Sequence, residues 1–188
     1  MLAVLDANVL FPFHIRNLLL HLAAGGLYEP VWSDEIMEEA RRNLLIRGRV
    51  DDVQWARLDR AMRKGFGDAW IDGYQHLIDD LTLPDQNDRH VLAVAIFSEA
   101  DLIVTENTKD FPATTLAEWG IARQTPRQFA EILWARNPAA VFDAAEKHRL
   151  SLTKNPISPA QYLDTLRETS KLRALASHLE RAGFLDPR

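Results

Sequence analysis

The chain has 188 residues, 47% of them hydrophobic, and a formal net charge of -5 at pH 7. This length supports one good hydrophobic core with a smaller appendage, and the absence of cysteine excludes disulfides and thiolate metal sites. No apolar run is long enough to span a bilayer and no basic leader precedes the first strand, so we expect a cytoplasmic protein with no membrane partner.

The first predicted element is a short buried strand that ends in an acid. Residues 2–5 are all apolar, Asp6 follows directly, and Asn8 comes two positions later. In open parallel sheets, ligands bind outside the carboxyl ends of the strands, so Asp6 is placed to face such a crevice. The alternative is that Asp6 or Asn8 only caps the helix that follows.

A basic segment lies at residues 41–64, with eight basic side chains against three acids. The candidates for contacts with phosphate are Arg41, Arg42, Arg47 and Arg49. The segment either tracks the phosphates of a nucleic acid or is the solvated face of a helix, and the sequence leaves both interpretations open.

Residues 51–80 are predicted to be further helix. Their large apolar side chains, expected to pack in the core rather than to stack on bases, are those of Trp55, Met62, Phe66, Trp70 and Tyr74.

The third acid of interest, Asp88, begins a predicted helix that runs to about residue 100. Ala93 and Ala95 behind it let this helix pack closely on a sheet. In the first turn, Asp88 gains from the helix dipole and faces the strand ends. Asp85, three residues earlier, is interpreted as a cap or as a residue that supports the site from outside.

A second buried strand follows at once. Residues 101–105 end at Thr105, and Asn107 and Asp110 come next. A helix followed by a strand with short connections predicts a right-handed crossover and a parallel sheet, which brings the ends of strands 2–5 and 101–105 to one edge. Taken alone, Asn107 and Asp110 are more often ordinary turn residues.

Four acids therefore stand where elements meet: Asp6, Glu39, Asp88 and Asp110. Carboxylates a few ångströms apart raise each other's pKa and cost stability unless a cation or proton lies between them. Mg²⁺ or Mn²⁺ is the usual partner of such oxygen ligands, so we predict a divalent-metal site. The histidines interpreted as structural or surface residues, for lack of metal-ligand spacing, are His14, His21, His76 and His90.

The chain after Trp134 changes to helices without strands. A helix start is predicted at Ser158, because proline and glutamine occupy the first and third positions after it. An apolar helix face with a glycine stop is predicted from Leu172, Leu175, Ala176, Leu179 and Gly183. We predict two domains, residues 1–136 and a helical extension 137–188, which carry net charges of -7 and +2.

Four segments resemble, in order, the signature segments of the PIN domain: LDANVL, SDEIMEEARRNL, LPDQNDRHVLAVAI and IVTENTKDFP. The resemblance covers residues 1–134. It implies an α/β fold of three layers, with a central, mainly parallel sheet flanked by helices. It also implies the activity of VapC-type toxins of bacterial toxin–antitoxin pairs, which cleave single-stranded RNA with Mg²⁺ or Mn²⁺.

The resemblance also assigns site residues. The first three family acids fall on Asp6, Glu39 and Asp88. Glu38 competes with Glu39, but Ile36 and Ala40 give Glu39 the apolar flanks of a helix half-turned to the core. A solvated helix acid is the commoner fate of glutamate.

The fourth family position departs from the pattern. Many relatives carry an acid where this chain has Asn107, and Asp110 replaces or supplements it. The missing charge weakens the case for a second metal more than for the first. The implied chemistry is metal-assisted hydrolysis, in which one ion activates water and a second, roughly 3.5–4 Å away if present, stabilises the leaving oxygen. Asn8 and Thr105 would orient carboxylates or water.

The expected function is therefore that of a metal-dependent endoribonuclease, the toxin of a toxin–antitoxin pair, with a cognate antitoxin. A homodimer is expected because members of the family are often dimers. The alternatives are a housekeeping RNA-processing nuclease and a non-catalytic nucleic-acid or protein-binding module that keeps the fold. A haloacid-dehalogenase-like phosphatase is disfavoured, because it needs a second acid where this chain has Asn8.

Overall fold

A computed structural model of the chain describes residues 1–186. Its internal contacts divide the chain into two compact units. Unit 1 comprises residues 1–11 and 29–124, and unit 2 comprises residues 12–28 and the described chain from residue 125 onward.

Unit 1 is built on a four-stranded parallel sheet in the order β2-β1-β3-β4. The strands are β1 (Leu2–Leu5), β2 (Glu29–Val31), β3 (Leu102–Val104) and β4 (Ala122–Gln124). The two central strands, β1 and β3, consist of apolar residues that are buried apart from Leu2, as a sheet covered on both faces requires. The predicted α/β fold with a parallel sheet is confirmed.

The helices account for most of the remaining chain. In order they are α1 (Ala7–Leu10), α2 (Phe13–Ala24), α3 (Asp34–Ile46), α4 (Asp52–Gly65), α5 (Arg89–Phe97), α6 (Ala113–Ala117), α7 (Pro126–Arg136), α8 (Pro138–Ser151), α9 (Pro159–Asp164) and α10 (Arg173–Arg181). Short 3-10 helices cover Gly67–Ala69, Gln75–Asp80 and Gln86–Asp88, and a π-helical turn covers Thr165–Thr169. Within residues 1–186, no helix combines the length and the apolar character needed to cross a membrane.

The carboxyl ends of β1 and β3 lie side by side, as the sequence predicted. Leu5 pairs with Val104, and the backbone N–H of Asp6 donates to the carbonyl of Val104 at 3.1 Å. The N–H of Thr105 donates across to Gln124 at 2.9 Å. Asp6 and Thr105 therefore leave the sheet at the same edge.

Helix α5 covers the sheet with a run of six buried residues, 90–95, and contacts β1, β3 and α3. Ala93 and Ala95 are fully buried, which fits the close packing predicted for them. The helix is shorter than expected. Asp88 is the last residue of the 3-10 turn Gln86–Asp88 and the N-cap of α5, and the helix ends at Phe97.

The prediction of continuous helix over residues 51–80 is wrong after Gly65. Helix α4 ends there, and two 3-10 helices follow. Gly65 and Gly67 weaken the helix at this point, and Gly73 has φ +88°, a conformation that no regular helix uses. Of the large side chains in this stretch, those of Met62 and Tyr74 are buried.

Within the described residues, unit 2 consists of helices and connecting loops and contains no strand. Helix α2 packs on α8, and α7 packs on α8 and α10. The predicted helix start at Ser158 is confirmed: its hydroxyl accepts from the N–H of Gln161, and the two residues form a capping box. The apolar face of α10 is buried, and Gly183 ends the segment with φ +86°.

These two units do not coincide with the two predicted domains. Helix α2 and residues 125–136 group by contacts with the C-terminal helices. The division at residue 136, which was based on sequence pattern and family resemblance, stays a prediction.

Candidate metal centre

Three carboxylates converge in unit 1, from Asp85, Asp88 and Asp110. Each offers an oxygen, and the three oxygens lie within 4.8 Å of one another. Asp85 is the N-cap of the turn Gln86–Asp88, where its carboxylate accepts from the N–H of Asn87 at 2.9 Å. Asp88 starts α5, and Asp110 lies in the loop after β3. We call these three residues the acid triad.

Negative charge in the acid triad is poorly compensated. The pKa of Asp88 is raised to about 7, first by burial and then by the charges of Asp6, Asp85, Glu39 and Asp110. Lys109 lies 3.7 Å from the carboxylate of Asp110, but its side chain is 85% exposed, and such a pair contributes little. A site of this kind gains from a bound cation.

Asp6 stands at the centre of a hydrogen-bond network beside the triad. It is buried, and the same carboxylate oxygen accepts from the hydroxyl of Thr105 at 2.6 Å and from the amide of Asn8. Asp6 occupies the N-cap position of α1 but makes no capping hydrogen bond with its side chain. Burial raises the pKa of Asp6, and the hydrogen bond from Thr105 opposes this effect. The capping alternative therefore does not account for Asp6.

Asn107 links this network to the acid triad. Its backbone N–H donates to the hydroxyl oxygen of Thr105 at 2.9 Å, and its side-chain amide donates to Asp88 Oδ2 at 3.0 Å. The structure thus places Asn107 as a donor that orients Asp88. Its predicted role as a metal ligand stays a prediction.

The environments of the two candidate glutamates on α3 differ. Glu38 is exposed, and its carboxylate accepts from Arg41 at 2.9 Å. Glu39 is half-buried, and its pKa is raised by burial and then by the charge of Asp6. This geometry favours Glu39 over Glu38 as the acid that belongs to the site.

His90 is a residue that the sequence analysis set aside. Its Nδ1 lies 2.6 Å from the carbonyl of Asn87, so Nδ1–H donates there and fixes the ring. Its Nε2 is buried, makes no hydrogen bond with the described residues, and lies 3.7 Å from the carboxylate of Glu39. The available signal was the position of His90, which directly follows Arg89 and precedes the apolar run of residues 91–97 in α5.

The four arginines predicted to contact phosphate lie in three different environments. Arg41 is bonded to Glu38 and Asp52, and Arg47 lies over the ring of Phe11 at 4.8 Å from its centroid. Arg42 and Arg49 are exposed, make no ion pair with a described acid and stack on no described ring. Only these two present a charge that is neither paired with an acid nor stacked on a ring.

The donor chemistry of the site fits a hard divalent cation. Carboxylate oxygens are what Mg²⁺ and Mn²⁺ prefer. The pKa of Asp88 is raised by burial and then by the charges of the neighbouring acids, both of which a bound cation would offset. The charges of Asp6 and Glu39 also act on Asp88. Asp85 was predicted to be a cap or a residue that supports the site from outside. It caps the turn Gln86–Asp88, and one of its oxygens also lies within the acid triad.

Comparisons with known proteins agree with the fold. A family model described as a PIN domain matches residues 3–109, and one described as the VapC50 C-terminal domain matches residues 126–181. The first match includes Asp6, Glu39 and Asp88 and stops one residue before Asp110. Searches of curated proteins and of solved structures gave no match.

Proposed function

The chain belongs to the PIN domain family, and from that premise we propose that it is a metal-dependent endoribonuclease, the toxin of a toxin–antitoxin pair. The observation that carries this proposal is the acid triad at the carboxyl edge of the sheet, in which the pKa of Asp88 is raised to about 7 by burial and neighbouring acids. The match to the VapC50 C-terminal domain supports the toxin assignment.

The residues proposed to hold the cation, Mg²⁺ or Mn²⁺, are Asp6, Glu39, Asp88, Asp110 and Asn107. Asp85, whose oxygen also lies in the acid triad, is proposed to support them. When bound, the cation supplies positive charge that lowers the pKa of a water and offsets negative charge on the phosphate. Thr105 and Asn8 hold the carboxylate of Asp6 by hydrogen bonds, and Asn107 holds that of Asp88. These hydrogen bonds fix the orientation of the carboxylates of Asp6 and Asp88 before substrate binds.

The test of the nuclease assignment is direct. Purified protein is incubated with total RNA in Mn²⁺, in Mg²⁺ and in excess chelator, and the new RNA ends are mapped. We expect defined ends that form with the metals and not with the chelator. Failure to cleave any RNA would favour a non-catalytic binding module that retains the fold.

The toxin assignment needs a separate test in cells. Expression of the chain is expected to arrest growth, and co-expression of a small neighbouring gene product, the antitoxin, is expected to restore it. Cleavage without growth arrest would instead identify a housekeeping RNA-processing nuclease. A homodimer, expected from the family, is checked by light scattering on the same preparation.

We expect Glu39→Gln to lower cleavage by about 10²-fold, or ~2.7 kcal/mol, and Glu38→Gln to change it less than about threefold. The two substitutions are matched, because they lie on one helix and remove one charge each. Glu39 is half-buried, and its pKa is raised by burial and then by the charge of Asp6, whereas Glu38 is exposed and bonded to Arg41. Initial rates at saturating Mn²⁺ test this, and the opposite order would assign the role to Glu38.

Asp110→Ala is expected to reduce activity more than Asn107→Ala does. Asp110 brings a charge to within 4.8 Å of the other two triad oxygens, whereas Asn107 supplies one neutral hydrogen bond to Asp88. We expect losses of about 10²-fold and about tenfold, respectively. The Mn²⁺ concentration at half-maximal rate is measured for both. A larger loss in Asn107→Ala would make Asn107 the fourth ligand.

The Arg42→Ala, Arg49→Ala double variant is expected to bind RNA more weakly. The slope of log K against the logarithm of the salt concentration is expected to be smaller in magnitude by about 1–2. Both side chains are exposed and make no ion pair with a described acid. Arg63→Ala is the control, because the guanidinium of Arg63 already forms ion pairs with Asp34 and Asp59 and is therefore not available to a phosphate. The affinity of each protein for RNA is measured by filter binding at several salt concentrations, with chelator present. An unchanged slope would show that the segment is only a solvated face.

A further inference from the structure

A cavity of about 790 Å³ lies within unit 2. Helix α2 lines one side of it with Phe13, His14, Asn17 and His21, and the segment 151–157 between α8 and α9 lines another. The volume is in the range of small-molecule sites. None of the lining residues belongs to the candidate metal centre, so binding here would not depend on the proposed cleavage activity.

The lining offers positive charge and hydrogen-bond donors but no carboxylate among its described residues. Lys154 is exposed and makes no ion pair with a described acid. Thr153 and Asn155 on either side of it add a hydroxyl and an amide. This combination favours an anion that has several oxygen acceptors.

A buried histidine, His148, lies against both histidines that line the cavity. Its ring centroid is 5.3 Å from that of His21 and 6.2 Å from that of His14. Its Nδ1 is 2.9 Å from Tyr162 Oη, whereas its Nε2 and the Nδ1 of His14 are buried and have no partner among the described residues. Burial, His21 and His14 lower the pKa of His148 to about 3, and no acid opposes the shift.

The apolar part of the lining is aromatic and aliphatic. Phe13 is 52% exposed and meets the ring of His14 edge to face at 5.1 Å, and Leu152 and Ile157 also line the cavity. A bare phosphate would leave this surface and most of the volume in water. A planar base would cover it, because bases stack on aromatic side chains whatever their sequence.

We propose that this cavity binds a nucleoside monophosphate, either free or as the phosphorylated terminal nucleotide of an RNA. The phosphate lies beside Lys154 and Thr153, and the base lies against Phe13. Neither His148 nor Tyr162 touches the ligand. They hold the two lining histidines from behind.

The experiment is titration calorimetry on the full chain with chelator present, which keeps the metal centre inactive. The probes are adenosine 5′-monophosphate, adenosine, inorganic phosphate and a 5′-phosphorylated tetranucleotide RNA. We expect one or both phosphorylated nucleotides to bind more tightly than adenosine or phosphate. Binding of the monophosphate identifies a free nucleotide as the ligand, and binding of the tetranucleotide alone identifies an RNA end.

Lys154→Ala and Phe13→Ala are each expected to weaken that binding by about tenfold or more. Lys147→Ala is the matched control, because Lys147 is an exposed lysine on α8 that does not line the cavity. Circular dichroism verifies that Phe13→Ala is folded. The assignment is overturned if neither phosphorylated probe binds, if phosphate binds as tightly as both, or if either substitution has no more effect than the control.

Discussion

Asp88→Asn and Asp6→Asn are each expected to reduce RNA cleavage by at least about 10³-fold, or ~4 kcal/mol of transition-state stabilisation. Both replace a carboxylate by a neutral group of nearly the same shape. The new amide oxygen can still accept from Asn107 at position 88, or from Thr105 at position 6. The fold should therefore survive while the negative charge that a cation needs is lost.

The measurement is the initial rate at saturating Mn²⁺, with circular dichroism to verify the fold. Asp80→Asn is the control, because Asp80 is exposed and lies outside the acid triad. We expect it to cleave RNA as the unmodified chain does. Activity within about tenfold of the unmodified chain in either site variant, a loss of only ~1.4 kcal/mol, would contradict the assignment of that residue.

The sheet and its acid-bearing edge could be predicted because their signals are local. Residues 2–5 and 102–104 are continuous apolar runs, and each is followed at once by a polar residue, Asp6 or Thr105. In a parallel sheet the ends of neighbouring strands meet. Knowing the strand direction was therefore enough to bring Asp6 and Thr105 together.

The details of the site depend on side-chain direction, which the sequence does not encode locally. Asp85 enters the acid triad because a 3-10 turn, rather than the start of an α-helix, precedes Asp88. Asn107 reaches Asp88 because of the conformation of the loop after β3. His90 on α5 faces Glu39 on the neighbouring helix α3. Spacing along the chain gave no reason to prefer any of these contacts.

Unit 2 shows the same limit over a longer range. His14 and His148 lie 134 positions apart in the chain, yet their rings approach to 6.2 Å because α2 packs on α8. Metal-ligand spacing, the criterion used to set His14 and His21 aside, cannot detect such a group. Deleting residues 137–188 would also remove the packing partner of α2, so point variants test the site better than truncation does.

In metal-free protein, the melting temperature of Asp88→Asn should rise above that of the unmodified chain as pH increases from about 4 to about 7. The folded-state pKa of Asp88 is about 7, because burial and the neighbouring acids disfavour its charged form. Between the unfolded and folded pKa values, the folded state binds more protons, so raising the pH favours unfolding. The destabilisation by Asp88 is therefore absent below about pH 4 and complete above about pH 7.

The quantity to measure is the difference in melting temperature between the two proteins at each pH, because His148 changes the stability with pH in the opposite direction. Its folded pKa is lowered to about 3, so it favours unfolding at acid pH, and this contribution disappears as pH rises toward its unfolded value. His148 is present in both proteins and cancels. For a partly exposed carboxylate we expect about 1–2 kcal/mol at pH 8, or roughly 2–8 °C in melting temperature.

Adding Mn²⁺ or Mg²⁺ at pH 8 should reverse this order. A cation at about 100 times its dissociation constant stabilises the folded state by about 2.7 kcal/mol, or roughly 5–10 °C for a chain of this length. The unmodified chain should gain this shift, whereas Asp88→Asn, with one charge fewer in the acid triad, should gain little. The exposed-site variant Asp80→Asn should follow the unmodified chain. Equal stabilisation of all three proteins would mean that the cation binds elsewhere, and the triad would then not be the metal centre.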